Sequence, residues 1–174
     1  MTRMLALSVL VLTALAGAVT VMSEPDWYLR MRYPLRYEHI VRGHASNYDL
    51  DPALVAAVIY QESKFRADAR SESGAIGLMQ LLPDTAEGIA LRTGGSRFQV
   101  DDLYDPEVNV RYGCWYLRNL LQKYRVLEKA LAAYNGGQGN VDRGVQYEET
   151  RHYVENVLEI RDIYAQAHGL RSDT

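Results

Sequence analysis

The chain reads as mainly α: one helical domain preceded by an N-terminal hydrophobic helix. Three observations predict this. Asp51-Pro52 and Asp105-Pro106 each set an N-cap residue before a proline at the first helical position. Apolar residues recur at helical spacing through long stretches of the chain. No run alternates apolar and polar residues as a half-buried strand would. The 174 residues suffice for one domain with short extras. Apolar residues make up 48% and charged residues 24%, a globular balance.

Taken in order, Met4 to Met22 carries no charge and is rich in Leu, Val and Ala. As a helix it would span about 28 Å, close to the hydrocarbon core of a bilayer. Residues 1–23 therefore read as a signal anchor or a cleaved signal peptide. Ala16-Gly17-Ala18 offers a small-residue cleavage site. The apolar run continues past it through Val19, Val21 and Met22, which favours the anchor. Residues 24–34 read as a linker, and Trp27, Tyr28 and Tyr33 beside its arginines also fit an interfacial belt. The domain proper is expected over 35–168, with 169–174 as a tail.

Within the domain a first helix is expected from Leu35 to Tyr48. The Asp51-Pro52 cap opens a second, to about Lys64, with Leu54, Val55, Val58 and Ile59 as apolar positions. Pro83 starts a helix that should stop near Gly94-Gly95. The Asp105-Pro106 cap opens a long one to about Tyr124. Another runs from about Leu127 to Tyr134 and stops at Asn135-Gly136-Gly137. The last, about Thr150 to Tyr164, sets Tyr153, Val157, Ile160 and Tyr164 on one face.

Composition excludes several classes. The formal net charge is -3 and no Lys/Arg stripe is present, which disfavours nucleic acid as a partner. One cysteine, Cys114, can form neither an internal disulfide nor a Cys-based zinc cage, and reads as a buried thiol. The four histidines form no H-x-x-x-H pair, and neither phosphate-binding glycine motif occurs. Thirteen tyrosines stand against two phenylalanines. Rings with a polar tip suit a wet groove that stacks on sugars or peptides.

Glu62 is the leading candidate for chemistry. It follows Val55 by seven residues, Val58 by four and Ile59 by three, so its carboxylate lies on or beside the apolar face. It also sits near a helix C-terminus, where the macrodipole disfavours an anion. Partial burial and that dipole both favour the neutral acid, the form a general acid needs. Spacing alone favours instead a glutamate whose stem packs while its head reaches solvent, Lys64 or Arg66.

The surrounding residues decide between these. Glu62-Ser63-Lys64-Phe65, Ser71, Gly74-Ala75-Ile76-Gly77-Leu78-Met79-Gln80 and Pro83 with Thr85-Ala86 closely resemble the signature of the soluble lytic transglycosylases. Asn109, Gly113, Tyr116 and Leu117 resemble the family's N-x-x-x-G-x-x-Y-L block. Ala132-Ala133-Tyr134-Asn135-Gly136-Gly137 resembles its A-Y-N-[AG]-G block, and Glu149-Thr150-Arg151 with Tyr153-Val154 its E-T-x-x-Y-V block. Four blocks in order span about residues 38 to 164. One departure stands out: Arg66-Ala67 occupies the place where the family often has Asn-Pro.

The resemblance implies a lysozyme-like (goose-type) α fold with a groove for peptidoglycan glycan strands. It implies cleavage of the β-1,4 bond between N-acetylmuramic acid and N-acetylglucosamine. Glu62 would protonate the glycosidic oxygen, the substrate's 2-acetamido group would stabilise the cationic centre, and Glu62 would then deprotonate the muramoyl C6 hydroxyl. A 1,6-anhydro sugar results without consumption of water. Ser71, Gln80, Ala133, Tyr134, Asn135 and Tyr153 match positions of the saccharide site, with Tyr134 placed to hydrogen-bond Glu62. No metal or organic cofactor is implied, and the chain is expected to be a monomer. A hydrolytic muramidase of the same fold and a non-catalytic peptidoglycan-binding scaffold are the alternatives. Arg30, Arg32 and Arg36 follow the apolar segment while only Arg3 precedes it, which by itself would place the domain in the cytoplasm. The implied substrate argues instead for the cell envelope: the outer face of the cytoplasmic membrane, or secretion if the signal is cleaved.

Overall fold

A computed structural model describes residues 24–145 and 147–170. The chain divides into two compact units, Met1–Pro34 and Leu35–Thr174. The expected membrane segment, Met4 to Met22, lies outside the described residues. Among the described residues no helix is long and apolar enough to cross a membrane.

Within the first unit, the stretch expected to be a linker folds as helix α1, Asp26–Arg32. Pro25 enters it in an extended conformation, and Asp26 places an acid in its first turn. Trp27 and Met31, one helical turn apart, are both exposed.

The second unit is helical, as expected. Helix α2 spans Glu38–Asn47, three residues later than the sequence predicts, because Tyr37 is left-handed (φ 53°) and interrupts the turn. Helix α3, Pro52–Ser63, begins at the foreseen cap, where the Asp51 carboxylate accepts from the Ala53 N–H at 2.9 Å. Every residue from Ala53 to Ile59 is buried, so α3 is the central helix rather than an amphipathic surface one. It packs against α2 and against the last helix, α8, Glu148–His168.

Helix α4, Pro83–Thr93, starts on its proline and ends at Gly94 in the left-handed conformation. A 3₁₀ turn at Val100–Tyr104, unforeseen in the sequence, leads to the second Asp-Pro cap. There Asp105 accepts from the Glu107 and Val108 N–H groups, opening α5, Pro106–Tyr124. Helix α6 spans Leu127–Gly136, and a short α7, Gln138–Asp142, follows it. Lys123 and Tyr124 of α5 both bond Asp142 at 2.8 Å, fastening α7 down.

Two cores flank the long helix α5. One gathers Ile76, Ile89, Leu103 and Tyr112 between α4 and the 3₁₀ turn. The other joins Leu120 to Ala130 and Ala133 of α6. Cys114 is fully buried, as expected, and burial pushes its thiol pKa up. Of the residues expected as a tail, the two described ones belong to the folded unit: Gly169 caps α8 and Leu170 is fully buried.

Between α3 and α4 the chain forms a loop without regular strands. Two isolated antiparallel bridges, Arg70 to Ile76 and Ile76 to Leu81, fold residues 70–81 back on themselves. This loop and the C-terminus of α3 build the site.

Candidate active site

Glu62 occupies the last turn of α3, and the chain turns sharply after it. Lys64 (φ 53°) and Phe65 (φ 60°) are consecutive left-handed residues. Such a conformation is held only where the surroundings enforce it. Phe65 is buried against Tyr164, ring centroids 6.1 Å apart, while the Lys64 ammonium lies 4.1 Å over the Tyr60 ring. Arg66 closes the turn, its backbone N–H and its Nε both donating to the Ser63 carbonyl. The turn thus forms without the Asn-Pro that the resemblance led one to expect.

Next to the acid, Ser63 is buried, and its Oγ donates to the Leu78 carbonyl at 2.8 Å. That bond joins the end of α3 to the loop. Asn109 of α5 holds the loop from the other side. Its Oδ1 accepts from the Met79 N–H at 2.7 Å, and its Nδ2 donates to the Ile76 and Leu103 carbonyls. Gly77 sits at φ 81°, and a Cβ there would run into Asn109 and the Leu103 carbonyl. Met79 is fully buried.

The loop, α3 and α6 enclose a cleft of about 420 Å³. Glu62, Ser71, Gln80, Tyr134 and Asn135 line it, so five of the seven residues singled out from the sequence converge there. Among its described lining residues Glu62 is the only acid. Burial raises the Glu62 pKa from 4.5 to about 7; a hydrogen bond from Tyr153 opposes the rise.

The remaining two differ from expectation. Tyr153 is buried behind the acid, where its hydroxyl donates to Glu62 Oε1 at 2.7 Å. Tyr134, expected to make that bond, donates instead to the Met79 carbonyl at 2.8 Å. Its ring packs beside Tyr116, centroids 5.4 Å apart. Tyr153 thus takes the part expected of Tyr134 and orients the acid, while Tyr134 lines the cleft and ties α6 to the loop. Ala133 is fully buried in the core with Leu120 and Ala130, so its side chain meets no ligand.

Two polar candidates carry structural duties as well. Gln80 is left-handed (φ 48°), and its Nε2 donates to the Ala69 and Gly77 carbonyls. Ser71 Oγ accepts from the Ala75 N–H and shares a 2.9 Å bond with Ser73 Oγ. Sequence reasoning left unassigned the cleft positions of Ser73, Thr85, Tyr116, Gly136 and Gly137. Thr85, Tyr116 and the glycines fall within the recognised blocks; Ser73 carries no sequence signal of its own.

The Transglycosylase SLT domain family matches residues 39–157, which include all of these positions. This chain belongs to that family. Among SLT relatives it is 34% identical over 124 residues to a transglycosylase of Enterobacteria phage PRD1, covering 71% of this chain and 42% of that protein. It is 30% identical over 151 residues to the soluble lytic murein transglycosylase of Escherichia coli K12, covering 75% of this chain and 23% of that protein. The fold superposes with a TM-score of 0.76 on an inactive Glu-to-Gln mutant of lytic transglycosylase Slt from Pseudomonas aeruginosa, at 32% identity. That match covers 83% of this chain and 26% of the Pseudomonas chain. The 70 kDa soluble lytic transglycosylase of Escherichia coli superposes with a TM-score of 0.75 at 29% identity, over 84% of this chain and 27% of that one. The chain spans less than half the length of these relatives. The SLT assignment accounts for the mainly α architecture and for the four sequence blocks: three contribute residues to the cleft, and the fourth contributes Tyr153, which bonds Glu62.

Proposed function

We propose that this protein is a peptidoglycan lytic transglycosylase acting on the β-1,4 bond between N-acetylmuramic acid and N-acetylglucosamine. One observation carries the reading: among its described lining residues the cleft holds a single carboxyl group, Glu62, whose pKa is raised by burial to about 7. Near neutral pH such a group is partly protonated and can donate to a leaving oxygen. Having donated, it is a base of matching strength. Ordinary glycosidases set two carboxylates across the scissile bond, with substrate-assisted enzymes as exceptions. A lone acid suits a reaction in which the substrate supplies the second group.

In this mechanism Glu62 protonates the glycosidic oxygen as the bond breaks. The substrate's own acetamido oxygen stabilises the cationic carbon. The Glu62 carboxylate then accepts the proton of the muramoyl C6 hydroxyl as its oxygen closes on C1. The 1,6-anhydro product forms and the acid is regenerated. Tyr153 holds the carboxylate rotamer, and Ser71, Gln80 and Asn135 line the saccharide site. Because peptidoglycan lies outside the cytoplasmic membrane, the domain acts in the cell envelope, with the apolar N-terminal segment serving export or anchorage.

The test is product analysis. Purified protein incubated with peptidoglycan should release anhydromuropeptides, lighter by one water than hydrolytic products. Glu62→Gln should abolish release while leaving the circular dichroism spectrum unchanged. Reducing-end muramic acid would assign the protein as a hydrolase; binding to sacculi with no soluble product would assign it as a scaffold.

A further inference from the structure

Two smaller clefts, of about 300 and 340 Å³, share Gly94, Gly95, Arg111 and Tyr112 as walls. Arg97 and Phe98 help to complete one, Tyr48 and Thr93 the other. Neither has a lining residue in common with the Glu62 cleft. Arg111 precedes the cleft residue Tyr116 by five positions on α5, about 140° around the helix, so the two point to different sides. Arg111 also follows Glu107 by one turn, the spacing at which a helical acid and base pair. Glu107 is engaged elsewhere: its Oε1 meets His44 Nε2 of α2 at 2.7 Å. Neither Arg97 nor Arg111 has a carboxylate partner among the described residues. The Arg111 guanidinium is held instead 5.3 Å over the Tyr112 ring. Tyr48 is close enough to feel that charge: burial raises its pKa and Arg111 opposes the rise. Gly94 and Gly95 leave the shared wall bare of side chains, and a Cβ at Gly95 would run into the Tyr112 hydroxyl at 2.7 Å.

We propose that these joined clefts form an anion site, in which Arg97 and Arg111 clamp a phosphate group borne on a larger molecule. The proposal does not depend on the catalytic reading. Two guanidiniums match the charge of a phosphate near neutral pH, and their forked N–H groups match its three acceptor oxygens; a carboxylate would occupy only one fork. Phe98, Tyr48 and Tyr112 supply low-dielectric walls that strengthen the field between them. Opposing charge is small. The C-terminus of α4 brings about half a negative charge. Asp102 lines one cleft, and its Oδ2 is taken by the Gln99 N–H at 2.8 Å. Each chamber reaches the lower bound for a small-molecule site, about 300 Å³, so there is room for the body that carries the phosphate.

The experiment is titration calorimetry on the full-length protein at low ionic strength, with inorganic phosphate, glucose 1-phosphate, the phosphodiester glycerophosphoglycerol and acetate as probes. An organic phosphate should bind more tightly than inorganic phosphate, and acetate should bind more weakly than either. The monoester binding best would identify a phosphorylated small molecule as the occupant, and the diester binding best a phosphodiester chain; both support the proposal. Arg111→Gln should weaken the best probe about tenfold, the loss of one charge-assisted hydrogen bond. Arg97→Gln should weaken it in the same direction, and Arg111→Lys should keep part of the affinity. Arg97→Gln alters only an exposed loop residue, so it reads binding even if the Arg111 variants fold poorly. Inorganic phosphate binding best, acetate binding as tightly as phosphate, or affinity unchanged in both Gln variants would overturn the proposal. Failure to release anhydro product leaves this inference standing, because the site shares no residue with the Glu62 cleft.

Discussion

At the scale of residues, the proposed chemistry rests on a balance at Glu62. Burial raises its pKa and the Tyr153 hydroxyl lowers it, with burial the larger effect. Removing the hydroxyl should therefore move the pKa higher still. In Tyr153→Phe the alkaline limb of the activity profile should shift upward by about one pH unit, the worth of a hydrogen bond to a charged group. A role in folding alone would lower activity at every pH without moving the limb. The same carboxyl group also links stability to pH. Its folded pKa lies above its ordinary 4.5, so between pH 4.5 and about 7 the folded state binds the extra proton. Stability tied to that proton is present in full below pH 4.5 and is lost as pH rises through 7. Glu62→Gln removes the loss. It should match the wild type near pH 4 and exceed it at pH 8 by up to about 3 kcal/mol, read from paired chemical denaturation curves. Glu62 itself was legible in the sequence, from its helical spacing and the Ser63-Lys64-Phe65 context. Its partner was not. Tyr134 and Tyr153 are both tyrosines in recognisable blocks, and which one reaches Oε1 depends on how α6 and α8 pack, a tertiary fact that neither block encodes.

At the scale of elements, helix starts and stops were readable where a local device fixes them. Asp51-Pro52, Pro83 and Asp105-Pro106 each open a helix at the expected residue, and Gly94 closes one. Where no such device exists the sequence misled. Tyr37 is left-handed without being Gly or Asn, so α2 begins late. The 3₁₀ turn at Val100–Tyr104 is a short segment with little periodicity of its own. The loop over residues 70–81 is the element on which the cleft depends, and Asn109 secures it with three hydrogen bonds to backbone groups. Asn109→Ala would leave those buried groups unmet. It should destabilise by at least about 3 kcal/mol in urea denaturation, each orphaned group costing about 1–3 kcal/mol. Activity should fall even where the protein remains folded, because Gln80 would no longer be held at the cleft wall. Asn109→Asp keeps an acceptor for the Met79 N–H but sets a second buried oxygen against the Ile76 and Leu103 carbonyls, so its loss should be no smaller.

At the scale of the whole molecule, the cores of the second unit extend past the last recognisable block. Tyr164, Ala167 and Leu170 are all fully buried. The family match stops at residue 157, but the fold continues to 170. Leu170→Ala should cost about 2–5 kcal/mol, the range for a large-to-small change in a packed core, and thermal denaturation would register it as a lowered Tm. A residue in a true tail would leave Tm unaltered. The misreading has a physical cause: Leu170 follows Gly169 and lies in no periodic run, so only the path of the chain beyond the α8 cap brings it inside.

The enclosed position of Cys114 has a practical corollary. The protein's sole sulfhydryl is shut away from solvent and held in its unreactive neutral form. A fluorophore or spin label can therefore be attached at one new cysteine on the rim of the cleft, for instance in place of Ser73, with no need to strip the background first. Distances and motions during turnover could then be followed in an otherwise native molecule.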